Sequence, residues 1–364
     1  MDKKYDLEIG IDLHNNFSQV AVVDTEGRTV SCARFPNSPD VLGKFFDSLG
    51  ESYRVTFEST RNYFWLADFL NEKGISFIMS NPFLNRAIAN IHAKNDRYDA
   101  AILANLTRSN MIASCFVPSK PIRELRELVR CRMSIMHQQT VFKNRIHALL
   151  AKYNFNGPYQ YIFGPNGREW LQTQKFSPLV KELIEDSLDS IDYLRSKADK
   201  LYEKIKRRVI KHPWYKILTS VPGIGLVHAA TLIAEIADIS RFPRVESFVR
   251  YSGLSVNTFA SADKIHYGHI NKQSNYYIRT ALVEASQLIV RKDPGLSAFY
   301  RYLKGLKGHG IATVAVARKL SRSIYFMLKK QTEYKYRKIN IAWVKPNARI
   351  TAISTKQMAG CNVY

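Results

Sequence analysis

Strands and helices alternate over the first third of the chain, and this restricts the fold more than any other feature. "YDLEIGID", "FSQVAVVD" and "TVSCARF" are three β-rich runs in succession. "DTEGR", Asp24 to Arg28, reads as a hairpin turn in which Gly27 takes positive φ. A helical stretch follows near Val41 to Leu49. "YRVTFES" then reads as a buried strand, "YFWLADFLNEKG" as a helix closed by Gly74, and "ISFIMS" as another strand. "DRYDAAILANLTRS", from Asp96, reads as a further helix. A meander followed by strand–helix alternation predicts a mixed sheet covered by helices.

From Pro121 the pattern changes. "PIRELRELVRCRMSIMHQQTVFKNRIHALLAKYN" is one long helical run opened by a first-turn proline. Turn formers interrupt it in "NFNGPYQYIFGPNGREW", and a second long helix starts at a Ser177–Pro178 cap. That helix carries Ile184, Ile191, Ala198 and Ile205 seven apart, a stripe suited to a coiled coil. The stripe is satisfied equally by a hairpin within the chain and by pairing between subunits. Later come "ILTSVPGIGLVHAATLIAEIADISRF", "NYYIRTALVEASQLIVRK" and "IATVAVARKLSRSIYFMLKK", read as helices. The expected organisation is an α/β domain over 1–120, a helical coiled-coil region over 121–212, a mostly α domain over 213–332 and a loosely structured basic tail over 333–364.

Lys and Arg number 54 against 31 Asp and Glu, a formal charge of +23 with a pI near 9.8. Such an excess favours a polyanionic partner, most simply nucleic acid. Between Lys264 and Lys330 thirteen basic residues face only Glu284 and Asp293. Within that stretch Lys264, Lys272 and Arg279 are the expected nucleic-acid contacts. The four cysteines are scattered with no CxxC pair, which argues against a zinc site and for a reducing compartment. The N-terminus lacks the apolar run of a signal peptide, and no stretch reaches the ~20 apolar residues that span a bilayer. The expectation is a cytoplasmic protein with no membrane partner.

Acidic residues carry the chemistry. "KNDRYDA" sets Asp96 and Asp99 three residues apart on one helical face, where like charges repel. Asp12 lies in "EIGIDLHNN" at the end of the first strand, and Glu58 in "VTFESTRN" at the end of the fourth. A lone charge at the end of an apolar strand is costly. If strands one and four are neighbours, all four carboxylates surround one pocket. Oxygen-only donors suit Mg2+ or Mn2+, and two such ions about 4 Å apart clamp the attacking and leaving oxygens of a phosphodiester. Taken singly, an acid is more often a cap or a surface charge; all four at these places in this strand order reverse that.

The order and positions of these acids resemble the RuvC-like branch of the ribonuclease H fold. "KNDRYDA" is similar to the "KTDxxDA" signature of the DEDD transposases of bacterial insertion sequences, relatives of the Piv-type DNA invertases, with Asn95 in place of the usual Thr. The resemblance continues in "SVPGIGLVHAATLIAEIADISRF", "YSGLSVNTFASADK" and "GHINKQSNYYIRTALVEAS". In the second block Val256 replaces a proline and Ala262 the glycine after the serine. It spans roughly Asp6 to Leu328; the segment 155–176 looks like a family-variable insertion.

The resemblance implies an RNA-guided DNA recombinase of a bacterial insertion sequence. Asp12, Glu58, Asp96 and Asp99 would be both catalytic and metal ligands, with Ser261 as a nucleophile that forms a covalent protein–DNA intermediate. It further implies a structured non-coding bridge RNA pairing with donor and target duplexes, and a homo-oligomer, dimer to tetramer, with a site shared between subunits. Pro222-Gly223-Ile224-Gly225 resembles the hairpin of a helix-hairpin-helix element, in which Gly223 and Gly225 let a phosphate approach the backbone. The rival readings are a RuvC-like hydrolytic nuclease with water as nucleophile, an actin-like ATPase, for which no second Asp-Gly-Gly loop is present, and a non-enzymatic DNA-binding protein.

Overall fold

Alternation within β1 (Leu7–Leu13) shows how the first unit is layered. Ile9, Ile11 and Leu13 point to one side of the strand and are fully or almost fully buried, whereas Glu8, Gly10 and Asp12 point to the other. The computed structural model describes residues 5–50, 52–89, 96–158, 161–261, 264–270 and 274–336. It divides into two compact units, Met1–Lys120 and Pro121–Tyr364.

In the first unit β1 is followed by β2 (Phe17–Asp24), β3 (Thr29–Pro36), α1 (Pro39–Asp47), β4 (Tyr53–Glu58), α2 (Phe64–Glu72), β5 (Phe77–Ser80), α3 (Pro82–Ala89), α4 (Asp96–Arg108) and β6 (Ser114–Cys115). The six strands form one sheet in the order β3-β2-β1-β4-β5-β6. β1 to β3 are an antiparallel meander, β1–β4 and β4–β5 are parallel, and β6 returns antiparallel. The sheet is mixed, as the sequence predicts, and its order is consistent with a ribonuclease H-like α/β domain. Gly27 closes the β2–β3 turn at φ 89°.

The odd-numbered face of β1 joins Val20, Val22, Val55 and Phe57 of its neighbours against Leu42 and Phe46 of α1 and Leu66 and Leu70 of α2. The opposite face receives α4. There the Glu8 carboxylate accepts two bonds from Arg54 (3.1 and 2.7 Å), and Thr107 of α4 donates its hydroxyl hydrogen to the Thr56 hydroxyl at 2.8 Å.

The second unit is mainly helical: α5 (Lys120–Lys152), α6 (Pro165–Thr173), α7 (Pro178–Val209), α8 (Pro213–Thr219), α9 (Leu226–Ile236), α10 (Val245–Tyr251), the hairpin β7 (Val256–Ser261) and β8 (Lys264–Ile270), α11 (Tyr276–Ile289) and α12 (Pro294–Lys330). The Ser177 side chain caps α7 by accepting from the Val180 amide. The heptad stripe is buried within the chain. Arg208 near the end of α7 meets Glu124 near the start of α5, Gln139 donates to the Ile191 carbonyl, and Ile146 and Leu150 join Val180 and Ile184 in one cluster. These contacts run in opposite senses along the two helices, so α5 and α7 form an antiparallel hairpin. Segment 155–176 packs on it: Phe155 and Phe176 meet edge to face at 4.5 Å, and Ile162, Phe163, Trp170 and Leu171 join the same cluster.

A second cluster gathers Leu218, Leu232, Ile233, Phe248, Leu282, Val316, Leu320 and Ile324 from the remaining helices and the start of α5. α12 is broken at Gly308 (φ 82°), the only described position within it that leaves helical geometry. Among the described residues, no helix is long and apolar enough to cross a membrane. The predicted basic tail lies, from residue 337, outside the described residues.

Candidate active site

The strand register brings the two strand-end acids together. β1 and β4 pair in parallel as far as Ile11 opposite Phe57. One residue further on each strand stand Asp12 and Glu58, on neighbouring strands roughly 4.8 Å apart and on the α4 side of the sheet. Both are partly buried. Glu58 in turn pairs with Ser80 of β5, so a row of Asp12, Glu58 and Ser80 crosses three strands. The Ser80 hydroxyl is buried without a hydrogen-bond partner among the described residues.

Gly10 sets the height of the helix above this row. A Cβ there would lie 1.8 Å from the Ala100 carbonyl oxygen and 2.8 Å from the Ala104 nitrogen, so the backbone of α4 rests directly on the strand. The helix runs against β1, because Gly27, beside the start of β1, faces Asn105 and Arg108 at its far end. Moving from Gly10 to Asp12 advances about 6.6 Å along the strand, equivalent to roughly four helical residues. Four residues back from Ala100–Ala104 is the turn that holds Asp96 and Asp99. Asp96 is the first residue of α4, and Asp99 is partly buried.

Carboxylates on two adjacent strands beneath the first turn of α4 are the donor type that suits a hard divalent cation. Among the described side chains, no three His, Cys, Asp or Glu residues gather closely enough to hold a metal ion; that of Asp96 is not among them.

His14 joins the site. Its Nε2 lies 3.0 Å from Asp12 Oδ2, and its ring stacks on Phe17 at 4.4 Å. Its carbonyl oxygen accepts from the side-chain amides of Asn37 and Asn62, each at 2.8 Å. The β1–β2 turn beside Asp12 is thereby tied to the loops after β3 and β4. The sequence signal for His14 is only its place two residues after Asp12, on the same side of an extended chain. Ser80 and its empty hydrogen-bonding capacity have no sequence signal.

The serine predicted as nucleophile stands in the second unit. Ser261 is the last residue of β7, opposite Lys264 of β8. Ala262 and Lys272 lie outside the described residues. The residues flanking this hairpin, Tyr251 and Asn275, are joined to each other, and Asn275 reaches a buried carboxylate. The amide of Asn275 donates to the Tyr251 carbonyl at 2.7 Å, and its side chain donates to Glu235 Oε2 at 2.7 Å. Glu235 is fully buried in α9 and accepts two bonds from Arg130 of α5 (2.7 and 2.9 Å), with Arg126 at 3.4 Å. Burial works against the Arg130 charge, but the hydrogen bonds and charge of Glu235 outweigh it and hold the guanidinium above its usual pKa.

The remaining predicted contacts also fall in the second unit. Gly223 adopts φ 96°, and a Cβ there would sit 2.7 Å from the Ala285 carbonyl oxygen, so the turn between α8 and α9 requires glycine. Gly225 is the N-cap of α9, and a Cβ on it would meet open space. Arg279 is partly buried, over the Tyr276 ring at 5.8 Å.

Comparison with known proteins agrees with this layout. A family model for the DEDD transposases of IS110 type, described as a transposase, matches residues 9–155. A second, described as the IS116/IS110/IS902 transposase family, matches residues 215–301, and between them they cover more than half of the chain. A probable family 20 transposase of Pseudomonas aeruginosa is 25% identical, the match covering 90% of this chain and 98% of the relative. The insertion element IS110 43.6 kDa protein of Streptomyces coelicolor is 25% identical over 69% of this chain and 75% of its own length. The transposase for insertion sequence element IS1111A of Coxiella burnetii is 25% identical over 66% and 68% respectively. The mixed sheet with its strand-end acids is therefore that of a DNA transposase, an enzyme of DNA recombination. Within that class the chain belongs to the IS110 family of DEDD transposases.

Proposed function

We propose that the protein cuts and rejoins DNA on the α4 side of its mixed sheet, with Asp12, Glu58, Asp96 and Asp99 as ligands of divalent cations and Ser261 as nucleophile. The observation that carries this reading is the pairing of β1 with β4, which sets Asp12 beside Glu58 beneath the start of α4. Mg2+ or Mn2+, most simply two ions, would supply neutralisation of the crowded carboxylates and polarisation of the phosphodiester. The chain's own contribution is to hold those oxygens on rigid strands and a helix turn, so that little reorganisation is needed when DNA arrives.

Ser261 Oγ attacks the phosphorus. One Oγ–P ester forms as one P–O bond of the strand breaks, and the proton lost by the serine balances the one gained by the departing strand oxygen. A strand hydroxyl reverses the step, so rejoining needs no ATP. The turn at Gly223 and Gly225, with Lys264, Lys272 and Arg279, grips phosphates without reading sequence. Sequence choice falls to a bridge RNA paired with donor and target DNA, and the site is completed in a homo-oligomer.

The test is plasmid recombination in a bacterium, with and without the flanking non-coding RNA, for wild type, Asp12→Ala and Ser261→Ala. Both variants are expected to be inactive and the RNA to be required. An active Asp12→Ala would remove the acid site. Continued cutting by Ser261→Ala would make water the nucleophile, and recombination without RNA would remove the guide.

A further inference from the structure

Four side chains form a chain of contacts leading from the acids to the edge of the sheet. Asp12 bonds to His14 at 3.0 Å, and His14 stacks on Phe17 at 4.4 Å with an interplanar angle of 19°. The Arg34 guanidinium carbon lies 3.5 Å from the centre of the same Phe17 ring. Two planar groups that close to one centroid must occupy its opposite faces. The strand register agrees. Asp12 pairs with Gln19, Gln19 with Arg34, and Phe17 with Pro36, which puts Asp12, Phe17 and Arg34 on the same side of the sheet. Arg34 is on the edge strand β3 and is exposed.

Stacking uses the flat face of a guanidinium and leaves its N–H donors, which lie in the plane, available to an anion. Two stacked rings separate Arg34 from Asp12, so its charge is held near the carboxylates but not spent on them. A cluster of acids repels incoming DNA. A fixed cation at the margin of such a cluster offsets that repulsion and gives the strand a place to bind.

We infer that Arg34 is a phosphate-binding site for the DNA strand entering the acid cluster, and that His14 is a positioning residue that orients Asp12. This rests on the reading of Asp12 as a metal ligand. Phe17 couples the two roles, fixing the guanidinium on one face and the imidazole on the other, while Asn37 and Asn62 hold the turn beneath. The ligand is a phosphodiester of the DNA backbone, recognised by the bidentate geometry that guanidinium offers.

The experiment uses the full chain and a DNA duplex. In EDTA, binding is titrated across salt concentration for wild type and Arg34→Gln. Arg34→Gln is expected to bind several-fold more weakly at low salt and to lower the slope of log affinity against log salt by about 0.9, the loss of one phosphate contact. Separately, Mg2+ binding is followed by calorimetry for wild type, His14→Ala and His14→Gln. His14→Ala is expected to weaken the cation about 10-fold or more, and His14→Gln, which retains a hydrogen-bonding group, to recover part of it. An unchanged salt slope in Arg34→Gln overturns the phosphate site, and unchanged cation binding in His14→Ala overturns the positioning role. Asp12→Asn is measured in parallel for DNA cutting. If it still cuts, the acid-site reading has failed; if it is inactive while Arg34→Gln and His14→Ala behave as wild type, only the present inference has.

Discussion

Replacing Gly10 with alanine should disable the enzyme while changing no acid. The added methyl carbon would sit 1.8 Å from the Ala100 carbonyl oxygen, whereas ordinary contact begins at 3.4 Å. The obstacle is helix backbone on one side and strand backbone on the other, so neither can swing aside as a side chain would. α4 has to retreat by 1.6 Å, the difference between those distances. Overpacking a tight site costs about 1–3 kcal/mol, and a backbone clash belongs at the upper end. For a unit of this size that is a fall of roughly 10 °C in melting temperature. The larger effect is positional: the helix carries Asp96 and Asp99, and a misplacement near 1 Å costs about 100-fold in rate. Thermal unfolding and a plasmid recombination assay below the melting temperature separate the two effects. A Gly10→Ala protein that melts like wild type, or recombines at its rate, would refute the claim that α4 rests on Gly10.

Three further outcomes are expected. Glu8→Ala leaves the part-buried Arg54 without its carboxylate and should cost about 3 kcal/mol in denaturant unfolding, whereas Glu8→Gln should cost less. Glu235→Ala strips Arg126 and Arg130 of a fully buried partner and should cost about 3–5 kcal/mol, read in the same way. His212 caps α8 by accepting from the Trp214 amide at 3.1 Å, and burial holds its pKa below the ordinary histidine value. A lowered histidine pKa means that the unfolded chain takes the proton first. Stability should therefore decline as pH falls through about 6.5 towards the folded-state value. His212→Asn, which retains a cap and does not titrate, should flatten that decline in urea titrations run from pH 7.5 to 5.

The first unit was legible in outline because its strands obey simple periodicity. Buried apolar residues alternate along β1, and β2, β3 and β4 end at Asp24, Pro36 and Glu58. Asp12 and Glu58 stood out because a charge at the end of an apolar run has no cheap structural explanation. Two elements left no usable trace: β6 is two residues long, and α3 begins at Pro82, where the preceding "SN" reads as loop. The β7–β8 hairpin has a weak sequence signal because Asn, Ala and Ser dilute the β-formers of VNTFAS, and Lys, His and Gly those of KIHYGHI. The partner of the heptad stripe was undecidable, since any apolar groove satisfies it; the contacts of Gln139 and Arg208 decide it. His14 and Glu235 were beyond reach for a different reason. Their roles depend on partners brought together by the fold, and Glu235 meets an arginine 105 positions away.

The buried carboxylate of α9 has a mechanical consequence. It grips the start of the long helical hairpin through two arginines and the base of the serine hairpin through Asn275, so the two share a foundation. A twist applied along α5 is delivered through an ion pair and hydrogen bonds to Asn275 and Tyr251, on either side of the β7–β8 hairpin, bypassing the covalent route through more than a hundred residues.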